Sequence, residues 1–168
     1  KYLLKGMDPS LVSVVPMDGF HLSNKVLKEL GKSDRKGAQD TFDVNGFTTL
    51  ITRIKADGAE PIYYPVFDRS IEESIAAQGV VYPSTRVVIV EGNYLMHDKD
   101  GWQEIAPLLD QSWYAYLDED IRISRLISRH IAFGKDPESA KAWAKGSDQA
   151  NAELIEMSVA RCDFLIRT

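Results

Sequence analysis

Two acidic residues stand where chemistry could be done. Asp18 follows the run Leu11-Val12-Ser13-Val14-Val15-Pro16-Met17 and Glu91 follows Val87-Val88-Ile89-Val90, and a glycine comes directly after each, Gly19 and Gly92. Glycine lets the backbone turn tightly and admits close approach of a ligand. In open α/β sheets, ligands gather beyond the carboxyl ends of the strands, so an acid placed there carries more functional weight than the same residue on a helix. A carboxylate at such a rim can take a proton from a bound group or hold a hard cation through oxygen. The plainer alternative is that each acid merely begins a turn.

The elements that must position them follow from pattern. Residues 11–17 are a short β-branched run after the turn-forming Asp8-Pro9-Ser10 and predict a buried strand. Residues 21–30 space Leu22, Val26, Leu27 and Leu30 helically, with Gly31 as a stop, which puts His21 on the helix's first turn. Residues 32–45 are polar and aperiodic and predict a surface loop. A second helix carries the stripe Phe47, Leu50, Ile51 and Ile54 and closes at Asp57-Gly58. Pro61 and Pro65 demote the run that holds them to an edge strand or extended arm.

Ser70-Ile71-Glu72-Glu73 has the spacing of a capping box and predicts a short helix. Residues 86–92 contain four consecutive β-branched positions without alternation, as expected of a strand buried on both faces of a parallel sheet. A further strand over 112–117 leads to Asp118 as N-cap of a helix with Ile121, Leu126, Ile127 and Ile131 inward. Asp136-Pro137 starts another helix in the order of a cap followed by proline. Ser147 can cap a last helix through Ala160, before the short strand Phe164-Leu165-Ile166. Strands alternating with helices predict one α/β domain over 1–168 with a mainly parallel sheet.

Composition narrows the partners. The 168 residues are 44% hydrophobic and 27% charged, within the ordinary globular range. A net charge of −5 with interleaved signs argues against nucleic acid and favours a small-molecule substrate. No apolar run approaches the roughly 20 residues that span a bilayer, so no membrane partner and a cytoplasmic location are expected. Cys162 is the only cysteine, which leaves no internal disulfide and no multi-cysteine zinc site.

Read in order, Pro16-Met17-Asp18-Gly19-Phe20-His21, Thr41-Phe42-Asp43, Tyr64-Pro65-Val66-Phe67-Asp68-Arg69 and Val90-Glu91-Gly92-Asn93-Tyr94 make a more specific statement than any one of them. With Arg129-His130-Ile131-Ala132-Phe133-Gly134 and Gly146-Ser147-Asp148-Gln149-Ala150-Asn151-Ala152, the chain resembles the bacterial P-loop kinases related to uridine kinase, phosphoribulokinase and pantothenate kinase, often called fructose transport system kinases. The resemblance implies a three-layer P-loop NTPase-type fold and transfer of the γ-phosphoryl group of ATP, with Mg²⁺, to a hydroxyl of a sugar, nucleoside or pantothenate-like alcohol.

It further implies that Asp18 is the general base, Glu91 the metal ligand closing a Walker B-like strand, and Arg129 a lid arginine at the migrating phosphoryl group. His21, Asp43, Asp68 and Arg69 would face the acceptor and Asn151 would border the adenine pocket; dimers are common among the relatives, which makes a homodimer one open assembly and the monomer the other. Arg35, Lys36, Arg122 and Arg125 are equally readable as solvated charges.

One departure stands out. The family opens with a strand, a glycine-rich loop ending Gly-Lys-Ser/Thr and a helix, and that motif is absent; Gly31-Lys32-Ser33 lacks the glycine five positions earlier. The expectation is an N-terminally truncated domain without its first strand and P-loop, with residues 1–4 at the end of the P-loop helix and little activity on its own. Two other readings follow. A non-catalytic relative would bind a metabolite or partner in the same pocket. A haloacid-type phosphatase fails because Pro16 stands where its nucleophilic aspartate would be.

Overall fold

The computed structural model describes residues 8–56 and 58–168, so the reading of residues 1–4 and the Asp57 helix stop lie outside the described residues. In chain order the regular elements are β1 (Val12–Pro16), α1 (Asn24–Glu29), α2 (Val44–Lys55), β2 (Ile62–Asp68), β3 (Glu73–Val81), β4 (Val87–Glu91), β5 (Trp113–Tyr116), α3 (Glu119–Ala132), α4 (Pro137–Lys145), α5 (Ser147–Glu156) and β6 (Phe164–Arg167). They fall into two compact units. The first runs to Leu95 and takes in Lys99–Leu108; the second comprises Met96–Asp98 and Leu109–Thr168. No helix among the described residues is long and apolar enough to cross a membrane.

In the first unit β1 and β4 pair in parallel, from Val12 opposite Val87 to Pro16 opposite Glu91. Strands β2 and β3 form an antiparallel hairpin, from Ile62 opposite Val81 to Asp68 opposite Glu73. The Tyr64 hydroxyl donates to the Val14 carbonyl at 2.9 Å and ties the hairpin to β1. Beneath them Val15, Met17, Leu27, Phe47, Leu50, Ile51 and Ile105 form a core from which water is almost excluded.

An aromatic cluster continues that core. Trp102 lies 5.7 Å from Phe42 and 5.5 Å from Tyr94 between ring centroids, close to the preferred tilted and edge-on arrangements. Its Nε1–H donates to the Gln39 carbonyl at 3.1 Å, and the Tyr94 hydroxyl donates to the Gly37 carbonyl at 2.8 Å. The aperiodic segment between α1 and α2 is therefore fixed by buried rings. Its two 3₁₀ turns, Ser33–Arg35 and Gln39–Thr41, come from this anchoring and not from any periodicity.

Four expectations change. Helix α1 begins at Asn24 with Ser23 as N-cap, so His21 precedes it and forms an isolated antiparallel bridge with Phe42. The capping-box reading of Ser70-Ile71-Glu72-Glu73 gives way to a hairpin turn: Asp68 Oδ1 accepts from the Ser70 backbone N–H at 2.8 Å and from its hydroxyl at 2.6 Å, and Glu73 opens β3. Val87–Val90 are half-buried instead of sealed, because β4 has a strand on one edge only among the described residues. Helix α5 ends at Glu156, short of Ala160, and its N-cap position is Gly146.

In the second unit β5 and β6 pair in parallel, Trp113 opposite Phe164 through Tyr116 opposite Arg167. Asp163 Oδ2 accepts from both the backbone N–H and the hydroxyl of Ser112 at 2.7 Å, which fixes where the pairing begins. Asp136 caps α4 through the Ser139 N–H, with Pro137 in the first turn as expected. The α3 stripe is only partly covered, with Ile121 44% and Ile131 43% exposed.

Candidate active site

The register of β1 and β4 decides where the two acids stand. Pro16 faces Glu91, so Glu91 at the last position of β4 and Asp18 in the following 3₁₀ turn Met17–Phe20 leave the same end of one parallel pair. They share a rim. The glycine after each acid answers to the chain's own packing: a Cβ on Gly19 would lie 2.0 Å from the Pro65 carbonyl oxygen, and one on Gly92 would lie 2.5 Å from the Met17 Cβ. Close approach explains both glycines, but the approaching group is protein.

Charge at the rim is unbalanced. Arg69, from the turn between β2 and β3, brings Nη2 to 3.1 Å from Asp18 Oδ2. Glu91 remains accessible as a residue, yet its carboxyl is held above the usual range by partial loss of hydration and then by the negative charge of Asp18, with Arg69 opposing.

His21 is the neutral member of the group. Its Nδ1 lies 2.8 Å from the Asp18 carbonyl oxygen, and a carbonyl can only accept, so Nδ1 carries the proton and Nε2 keeps a lone pair. The ring sits 4.1 Å from Phe42 and 4.8 Å from Phe67 between centroids. Burial lowers its pKa, and Lys36 and Arg69 push the same way, against the opposing pull of Asp18. It is uncharged near neutral pH.

Asp43 and Asp68 have local structural employment. Asp43 Oδ1 caps α2 by accepting from the Gly46 N–H at 2.9 Å, and the Asp43 N–H donates to the Phe20 carbonyl at 2.8 Å, which keeps it beside the Asp18 turn. Asp68 closes the hairpin turn through Ser70, whose hydrogen bonds hold its carboxyl below the usual range. The buried Thr41 hydroxyl accepts from the Gly37 N–H at 3.0 Å and donates to the Ala38 carbonyl at 2.8 Å, and this support, like that of Tyr94 and Trp102, could not be read from periodicity. Tyr94 and Thr41 had a signal only as members of the quoted words that contain Glu91 and Asp43, and Trp102 had none.

The remaining candidates belong to the second unit. Arg129 is exposed in the last turn of α3, and Arg125 is exposed one helical turn before it. Arg122 donates to the Gln149 side chain, so it is not a free surface charge. Asp148 lies 2.7 Å from His130 Nε2 and links α5 to α3. Asn151 is half-buried on α5.

For a divalent cation the donor set is narrow: among the described residues no three His, Cys, Asp or Glu side chains converge. Mg²⁺ commonly takes only one or two carboxylates and keeps water or phosphate oxygens on its other positions. Glu91 at this rim supplies one carboxylate, which is within that requirement, and Asp18 stands beside it with Arg69 on its Oδ2.

No family model matches the chain. It is 35% identical over 148 residues to the ATP-dependent kinase-like protein notR′ of Aspergillus versicolor, a match covering 83% of this chain and 86% of that protein. The crystal structure of a candidate fructose transport system kinase from Silicibacter sp. TM1040 superposes with a TM-score of 0.83 at 38% identity, over 92% of this chain and 74% of that one. YFH7 of Saccharomyces cerevisiae, a candidate P-loop kinase with a circular permutation, shares the fold with a TM-score of 0.84 at 23% identity; the chain spans 58% of it. With an α/β fold common to these proteins and such identity over most of its length, the chain belongs to the P-loop kinase family, beside relatives named as ATP-dependent, uridine and fructose transport system kinases.

Proposed function

We propose that the protein transfers the γ-phosphoryl group of ATP to a hydroxyl of a small metabolite, with the acceptor held at the Asp18 rim. The observation that carries this reading is the placement of Asp18 and Glu91 at one end of a parallel strand pair, with Arg69 against Asp18. Phosphoryl transfer asks for positioning and charge neutralisation more than for covalent chemistry, and these groups supply both.

In this reading Asp18 accepts the hydrogen bond of the acceptor hydroxyl and takes its proton as the new P–O bond forms and the bond from the γ-phosphorus to the bridging oxygen breaks, with ADP leaving. Its Oδ2 is occupied by Arg69, which leaves Oδ1 for that proton. The His21 Nε2 lone pair can accept from a second hydroxyl. Glu91 would hold Mg²⁺, directly or through water; when bound, the cation neutralises charge on the nucleotide phosphates. Arg129 and Asn151 remain the proposed lid and nucleotide contacts, on the family resemblance alone.

The test is turnover of the full-length protein with ATP, Mg²⁺ and a panel of hydroxylated metabolites. Asp18→Asn keeps the shape and removes the base, so kcat should fall by about 10²-fold or more with ATP binding retained. Full activity in that variant would remove Asp18 from the chemistry.

A further inference from the structure

Lys36 lies in the aperiodic segment between α1 and α2, where a lysine would ordinarily be solvated. Its Nζ instead donates to Asn24 Oδ1 at 2.7 Å and to the Glu72 carbonyl at 2.5 Å, and stands 5.1 Å from the centroid of the Phe67 ring. Asn24 reinforces the arrangement. Its Nδ2 donates to the same Glu72 carbonyl at 3.1 Å, and its backbone N–H donates to Glu73 Oε1 at 3.0 Å.

Those contacts converge on a backbone that needs support. Glu72 has φ of 54°, in the left-handed region that a residue with a Cβ disfavours, and such conformations persist when their surroundings over-determine them. The turn so held runs from Asp68 to Glu73 and carries Arg69, the residue that meets Asp18. A hydrogen bond from a charged donor is stronger than a neutral one, and the Phe67 ring adds a face that attracts the cation.

We propose that Lys36, with Asn24, is a positioning residue that latches the β2–β3 turn against the start of α1 and thereby sets Arg69 at the acceptor side of the Asp18 rim. The latch acts through the turn; Lys36 itself need not touch the acceptor. The role assigned to the acceptor side rests on the proposed function, whereas the latch rests on the contacts alone.

Two measurements on the full-length protein separate these. In amide hydrogen exchange, Lys36→Met, which keeps the apolar stem, should speed exchange across residues 69–73 by about tenfold and leave α2 unchanged. Lys25→Met, on the exposed face of α1, should leave exchange unchanged both in the turn and in α2. Unaltered exchange in the turn, or a uniform rise throughout the first unit, overturns the latch. In steady-state kinetics with an accepted metabolite, Lys36→Met should raise the acceptor KM by about tenfold and leave the ATP KM alone, a split that a loss of folded protein does not produce. A faster-exchanging turn with an unchanged acceptor KM overturns the positioning role. If the turn loosens while wild type phosphorylates none of the metabolites, the proposed reaction fails and the latch stands.

Discussion

The Glu91 carboxyl loses hydration at the end of β4 and faces the negative charge of Asp18, so its proton is harder to remove in the folded chain than in the unfolded one. A folded-state value raised above the ordinary 4.5 contributes stability that is complete below that ordinary value and disappears as pH rises through the higher one. At neutral pH the ionised side chain therefore opposes folding, as expected of a group kept for function instead of stability. Glu91→Gln should raise the melting temperature at about pH 7 and leave it nearly unchanged at about pH 4, where the wild-type carboxyl is already largely protonated. Thermal denaturation of the two proteins at both pH values checks this. An equal shift at the two pH values would mean that packing, and not charge, is responsible.

At the scale of elements, legibility followed the source of each element's stability. Strands β1 and β4 and helix α2 were visible because their own apolar residues sit at strand or helix spacing. The β2–β3 hairpin was half visible: prolines marked β2 as an edge strand, but the turn is made by Asp68 reaching to Ser70, and the same residues also spell a capping box. Local pattern could not decide between them, since the deciding contacts, Asn24 to Glu73 and Lys36 to Glu72, span 49 and 36 residues.

Asp43 shows how an element can share a residue with a site. Its Oδ1 caps α2, so Asp43→Ala should cost about 1 kcal/mol, while Asp43→Asn, an equally good cap, should cost less than about 0.5 kcal/mol. Urea denaturation of both variants measures this. If asparagine restores stability while acceptor KM stays raised, the carboxylate has a task beyond the cap. Comparable losses in both variants would show that the cap geometry is not what holds the residue.

At the scale of the whole molecule, the placement of Asp18 and Glu91 at one rim was foreseeable because strand ends collect ligands in α/β sheets. The division into two units was not, because it depends on which buried surfaces meet. The units differ in how they are held. Among the described residues the largest fully buried side chains, including Trp102, Tyr94, Phe47 and Leu27, all belong to the first. In the second the buried apolar residues are Ala140 and Ala144, α3 buries none of its residues, and Phe133, Met157 and Trp143 stand 68%, 69% and 41% exposed.

Local opening is easiest where few apolar contacts must be broken. Backbone amides in the middle of α3 should therefore exchange at least about tenfold faster than those in the middle of α2, although α3 is the longer helix and both have strongly amphipathic sequences. Exchange followed by mass spectrometry at residue-level resolution tests the ranking. Equal protection of the two helices would show that α3 is covered in solution by surface that the buried residues of its own unit do not supply.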